Sequence, residues 1–184
     1  MMRAEVTRLG IEADVKRGSG GIREIEFIAQ SLQLIHGGRM PGLRLQSLLP
    51  TLQALMQADV LPTQQAQRLS DHYRLLRRVE HGLQGMADRQ TQALPTEPLD
   101  KAKLAILVGY ASWDALDGDL VVARGEVDAV FSALIADPND QSSNELVVSQ
   151  TRFSALNAET LTVLGYRHPG LTWETVGSLL DSPW

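Results

Sequence analysis

The chain has no cysteine among its 184 residues. That excludes disulfides, thiolate metal sites and cysteine nucleophiles, and it is in keeping with a cytoplasmic location. Aromatic residues make up only 5% of the chain, so aliphatic side chains must fill any core. No stretch reaches the ~18 uninterrupted apolar residues that a membrane-spanning helix needs. The opening residues, MMRAEVTRLG, lack the apolar middle region of a signal peptide. Strand signals are nearly absent: no hairpin built on Asn-Gly or Asp-Gly appears, and apolar residues rarely alternate at period two. Positive charge is not in excess either. The 17 Lys and Arg face 22 Asp and Glu, a net charge of -5. This is not the footprint of a nucleic-acid binder, and any attraction for anions must be local. The 4 histidines, at 36, 72, 81 and 168, form no H-x-x-x-H or H-E-x-x-H pair, so no metal site is expected from them. No G-x-S-x-G elbow supplies a serine nucleophile.

What is present is helical periodicity and an ordinary 43% of hydrophobic residues, enough for a packed core. Ile22, Ile25, Ile28, Leu32 and Ile35 recur every three or four residues and predict a helix that stops at Gly37-Gly38. A second helix is predicted from about Leu45 to Asp59, with Pro50 in its first turn, where a missing N–H matters little. A long third helix should run from Gln64 to Ala87 behind an N-cap at Thr63, burying Leu69, Tyr73, Leu76, Val79, Leu83 and Met86. A short helix is expected near Leu99–Tyr110, and another from Ser112, as cap, to Ile135. Gly118 and Gly125 predict a kink or a split in the last of these, since each glycine is worse than alanine by about 1 kcal/mol in a helix. The expectation is an all-α protein. Residues 22–137 would be a helical bundle, and 138–184 a polar linker with a helical extension.

The most unusual stretch is DVKRGSGGIREIEF, Asp14 to Phe27. A glycine-rich turn can point successive backbone N–H groups into one concavity, and the helix behind it adds unpaired donors and the positive end of its dipole. Lys16, Arg17 and Arg23 add full charges. With Gly18, Gly20 and Gly21 they form a candidate cradle for a phosphate or a nucleotide tail. The motif is neither a P-loop nor a Rossmann turn, and a flexible basic hinge before a capped helix explains it equally well. Glu24 and Glu26 lie two apart on a helix and so on different faces; carboxylates favoured by the helix dipole are the better reading of them than paired acid–base chemistry. Glu26 and Gln30 share a face and, with Glu24 and Arg23, could edge a polar cleft. Further along, Arg74, Arg77, Arg78 and His81 recur at helical spacing and make a cationic face. It could dock an acidic partner or a nucleotide, although such faces are more often solvated or paired locally.

Several blocks taken together, DVKRGSGGIREIEFIAQSLQLIHGG, SLLPTLQAL, YRLLRRVEHGLQ and DRQTQALP, strongly resemble the glutamate–ammonia-ligase adenylyltransferases over about Glu5 to Ile135. The hinge wording also occurs in the related nitrogen-regulatory uridylyltransferases. GGIREIEF with QTQ-LP downstream is more similar to the N-terminal, adenylyl-removing half than to the adenylylating half. The resemblance implies a helical domain that follows a nucleotidyltransferase domain, with residues 1–21 as the exit helix and hinge from that missing domain, in an enzyme that adds AMP to, and removes it from, a tyrosine of glutamine synthetase. The family's Gly-Ser and D-x-D motif is missing here, and the DGD at Asp117–Asp119 falls inside a helical pattern without a preceding strand. The resemblance therefore implies no catalytic residue in this segment, magnesium held by the nucleotidyltransferase domain, and an excised piece that is inactive alone. It also implies that Lys16, Arg17 and Arg23 contact phosphate groups of AMP, ADP or inorganic phosphate, and that the full-length enzyme takes ATP, ADP and phosphate. The implied partners are glutamine synthetase and a PII-type signalling protein. A pure docking module for either protein, working through the Arg74–His81 face, is the alternative.

Overall fold

The computed structural model describes residues 13–87, 92–135, 157–163 and 170. The expected exit helix and most of the C-terminal extension, including His168, lie outside the described residues. Among the described residues there are six α-helices, one turn of 3-10 helix at Pro41–Leu43 and no strand. The helices are α1 (Ile22–His36), α2 (Leu48–Gln57), α3 (Thr63–Ala87), α4 (Pro98–Leu107), α5 (Trp113–Ile135) and α6 (Ala158–Val163). The all-α expectation holds. No helix among the described residues is long and apolar enough to cross a membrane.

The chain divides into two compact units, residues 1–26 with 68–131, and residues 27–67 with 132–184. The first unit builds its core from Val15, Ile22 and Ile25, the Leu69, Leu76, Val79 and Leu83 stripe of α3, and Leu104, Leu116, Leu120, Val127 and Phe131. Its polar ties are specific. Glu126 on α5 receives Arg68 at 2.6 Å and His72 at 2.7 Å, both from α3. Lys101 lies 5.2 Å over the Trp113 ring, and the Tyr110 hydroxyl donates to Asp119 at 2.6 Å. Ser112 caps α5 as predicted, its Oγ accepting from the Ala115 amide at 3.3 Å. The helix is not split at Gly118 or Gly125: Trp113–Ile135 is one continuous helix. Both glycines are exposed with open space around them, so the helix loses propensity there but no packing, and the buried Leu116, Leu120, Ala123 and Val127 carry it through.

In the second unit, Ile28, Leu32, Ile35, Leu52, Leu55, Leu61 and Leu161 are buried. Gln33 ties the loop after α1 down by donating to the carbonyls of Leu43 at 2.6 Å and Leu45 at 2.9 Å. Arg44 closes the end of α1 by donating to the Gly37 carbonyl at 2.7 Å and the Gly38 carbonyl at 3.2 Å, a cation on the negative end of a helix. The Arg39 guanidinium donates to the carbonyl of Val163. The second helix ends in a Schellman motif, with the Val60 amide on Leu55 O at 3.0 Å and the Asp59 amide on Met56 O at 3.1 Å. Asp59 takes the left-handed position at φ 55 that glycine usually fills. The helix is shorter than the predicted Leu45–Asp59 because Leu45 and Gln46 precede its Ser47 cap position. Helical geometry in α3 includes Thr63 itself, the predicted cap.

Candidate functional site

The glycine turn belongs to the first unit and is held from three sides. Asp14, almost fully buried, organises its entrance. One carboxylate oxygen accepts the amides of Lys16 at 2.8 Å and Arg17 at 2.9 Å, and the other accepts the Arg17 Nε at 2.9 Å. An isolated antiparallel bridge pairs Asp14 with Ala93, through the Val15 amide on Gln92 O and the Leu94 amide on Ala13 O. From α5, Asp128 accepts the Ser19 hydroxyl at 2.6 Å and the Arg124 Nε donates to the Ser19 carbonyl at 2.8 Å.

Gly20 sits at φ 69, and a Cβ built there would lie 2.1 Å from the Arg124 carbonyl oxygen. At Gly21 a Cβ would meet the carbonyl oxygens of Gly18 and Lys16 at 2.7 and 2.8 Å. These glycines permit close packing of backbone on backbone. Their amides are occupied within the chain. Gly18 donates to Asp14 O, Gly21 to Gly18 O, Ile22 to Val15 O and Arg23 to Lys16 O, while Gly20 donates to the Glu24 carboxylate at 2.9 Å. A backbone anion cradle would need those donors. What the turn offers to a ligand is therefore side-chain charge. Glu24 is buried and reaches back over the first turn of α1, the dipole-favoured role that the sequence suggested for it.

The charges converge on α3. Glu80 is only 1% exposed, and its two oxygens meet cations from different parts of the chain: the Lys16 ammonium at 3.3 Å and the Arg77 guanidinium. The Lys16 and Arg77 side chains are 30% and 36% exposed, so they lead from the buried carboxylate to solvent. Glu26, half-buried, lies in the field of the same groups. Burial raises its carboxyl above the ordinary value of 4.5, against the lowering effect of Lys16, Arg77 and Arg23, and Glu80 pushes it up further. Burial likewise raises the Tyr73 phenol, opposed by Arg77 and reinforced by Glu26 and Glu80. Lys16, Arg77 and Arg23 thus act together with Glu80 on Glu26 in a partly desolvated place. Such a place can hold an oxyanion, and burial strengthens each interaction in it.

The sequence-predicted residues do not all meet. Lys16, Arg23, Glu26 and Arg77 come together. Arg17 is turned to Asp14 and is largely exposed. Gln30 is exposed and belongs to the second unit. The four-membered cationic face of α3 divides: Arg74, Arg78 and His81 are exposed, with Arg74 on Asp71 at 2.8 Å, whereas Arg77 turns to Glu80. Sequence reasoning missed Glu80, Asp14 and Tyr73 as members of the site. The signals were present: Arg77 and Glu80 stand three apart on a helix, and an aspartate before a turn accepts the amides two and three residues on. Among the described residues no group of three or more His, Asp or Glu is arranged to hold a metal ion.

The chain belongs to the GlnD PII-uridylyltransferase family, whose model matches residues 2–135. It is 53% identical over 133 residues to the bifunctional glutamine synthetase adenylyltransferase/adenylyl-removing enzyme of Xanthomonas axonopodis pv. citri (strain 306), covering 72% of this chain and 14% of that protein. It is 45% identical over 168 residues to the enzyme of the same name from Xanthomonas oryzae pv. oryzae (strain MAFF 311018), covering 91% of this chain and 18% of that protein. The chain thus spans less than a fifth of the length of either relative.

Proposed function

We propose that this chain is the helical segment that completes the nucleotide and phosphate cleft of a glutamine synthetase adenylyltransferase/adenylyl-removing enzyme, in the deadenylylating half. The observation that carries this reading is the meeting of Lys16 and Arg77 on the buried Glu80, with Arg23 and Glu26 in the same field. In phosphorolysis a phosphate oxygen attacks the adenylyl phosphorus, the bond to the tyrosine oxygen breaks, and ADP and the unmodified tyrosine leave. Negative charge gathers on the phosphoryl oxygens as this happens. Lys16, Arg23 and Arg77 would bind and orient those oxygens, with Arg17 at the rim. Magnesium would add charge neutralisation from the nucleotidyltransferase domain. Among the described residues here no group of three or more His, Asp or Glu is arranged to hold it.

The test is a double substitution, Lys16→Ala with Arg23→Ala, in the enzyme that carries the nucleotidyltransferase domain. Each charged contact to phosphate is worth ~1.5–3 kcal/mol, so kcat/KM for phosphorolysis should fall by about 100-fold or more while glutamine synthetase still docks. The 184-residue chain alone should not turn over adenylylated glutamine synthetase, and clear turnover would refute the reading. The exposure of Arg74, Arg78 and His81 favours a second reading, a docking face for glutamine synthetase or a PII-type signalling protein without nucleotide contact. Lost docking with intact nucleotide affinity, on replacing those three, would support it.

A further inference from the structure

Lys16 and Arg77 are cations that the chain would not hold together by itself. One comes from a turn and the other from the middle of α3. Their side chains are long, and each would sample many rotamers if left in water. Glu80 removes that freedom. Its carboxylate is almost completely buried and accepts Lys16 on one oxygen and Arg77 on the other. A carboxylate at that depth is sustained only by its partners, so the pairing fixes the two cationic heads side by side. Glu80 takes only part of their donor capacity, since an ammonium has three N–H groups and a guanidinium five. Both side chains are partly exposed, and Glu26, Arg23 and Tyr73 of the same unit share their electrostatic field.

We propose that Glu80 is a positioning residue: its buried carboxylate holds the Lys16 ammonium and the Arg77 guanidinium as a two-pronged receptor for a phosphoryl group, that of inorganic phosphate or the terminal group of ADP. The inference rests on the phosphate-cleft reading above and adds to it the residue that sets the receptor's geometry. It carries a counterintuitive sign. Glu80 is an anion beside an anion site, so a plain electrostatic view has its neutralisation strengthen phosphate binding. A positioning role has the opposite outcome, because the two cations then separate and must be reordered by the ligand.

The experiment titrates the full 184-residue chain with inorganic phosphate and, separately, with ADP, by calorimetry, for wild type, Lys16→Ala, Arg77→Ala, Glu80→Gln and Glu80→Asp. The two titrations distinguish the two sources of the phosphoryl group. Lys16→Ala and Arg77→Ala should each weaken binding at least tenfold. Glu80→Gln should also weaken it at least tenfold, despite its gain in net positive charge. Glu80→Asp keeps the charge but withdraws it by roughly 1.5 Å, and should fall between wild type and Glu80→Gln. Circular dichroism reports whether each variant is folded; if Glu80→Gln is not, Glu80→Asp decides, and wild-type affinity there overturns the proposal. Binding by folded Glu80→Gln as tight as wild type, or tighter, with Lys16→Ala and Arg77→Ala impaired, removes the positioning role and leaves the phosphate site standing. Wild-type affinity in Lys16→Ala and Arg77→Ala, or no binding by the wild-type chain, removes the phosphate site and the proposal with it.

Discussion

Glu26 shows how a single side chain registers the cluster around it. Its carboxyl is raised by burial, with Lys16, Arg77 and Arg23 opposing and Glu80 reinforcing the shift. A carboxyl whose folded pKa lies above its unfolded one binds its proton more readily in the folded chain. The folded state is therefore favoured below the unfolded value near 4.5, and it loses that advantage as pH rises through the raised value. Ionised Glu26 at neutral pH thus subtracts from stability. Replacing it by Gln should raise the urea midpoint at pH 8, and the gain should shrink to nothing below pH ~4. Urea titrations of both proteins at the two pH values check this; a gain that grows on acidification would contradict it.

At the scale of the element, the glycine turn depends on Gly20 more than on any charge. Gly20→Ala places a Cβ 2.1 Å from a backbone oxygen of α5 at a φ of 69. Strain and overpacking together should destabilise the chain by ~2–5 kcal/mol, read as a loss of midpoint in chemical denaturation. Much of this element level could be read from the residues. The Ile22, Ile25, Ile28, Leu32, Ile35 stripe is 0% exposed throughout; the Ser112 cap forms, and Pro50 falls in the first turn of α2. Periodicity and capping are local, so a short window of sequence reveals them. The turn's amides were misjudged because the turn folds back on itself: backbone carbonyls from Asp14 to Gly18 and the carboxylates of Asp14 and Glu24 accept them. Arg77 left its expected face for the same reason. Helical spacing places it beside Arg74 and Arg78, while a buried carboxylate one turn on outweighs exposure to water. The continuity of α5 through Gly118 and Gly125 is a further case of tertiary packing overriding propensity.

For the whole molecule, the division into units cuts across the order of the chain. Each unit is made of two separated segments, and α1, α3 and α5 all contribute residues to both. The stretch 68–131 supplies three helices of the first unit, but it lacks Val15, Ile22 and Ile25, each 0% exposed. Made alone, it should melt without a cooperative urea transition, whereas a chain that also contains residues 13–67 should show one. Circular dichroism of the two species at matched concentration measures the difference.

The clasp on the glycine turn has a consequence for the order of synthesis. Ser19 is bonded to Asp128 across 109 positions and to Arg124 across 105. On the ribosome the turn emerges before its clasp, with the long helix α3 between them. The contacts of Ser19 with Arg124 and Asp128 can close only once α5 has left the exit tunnel.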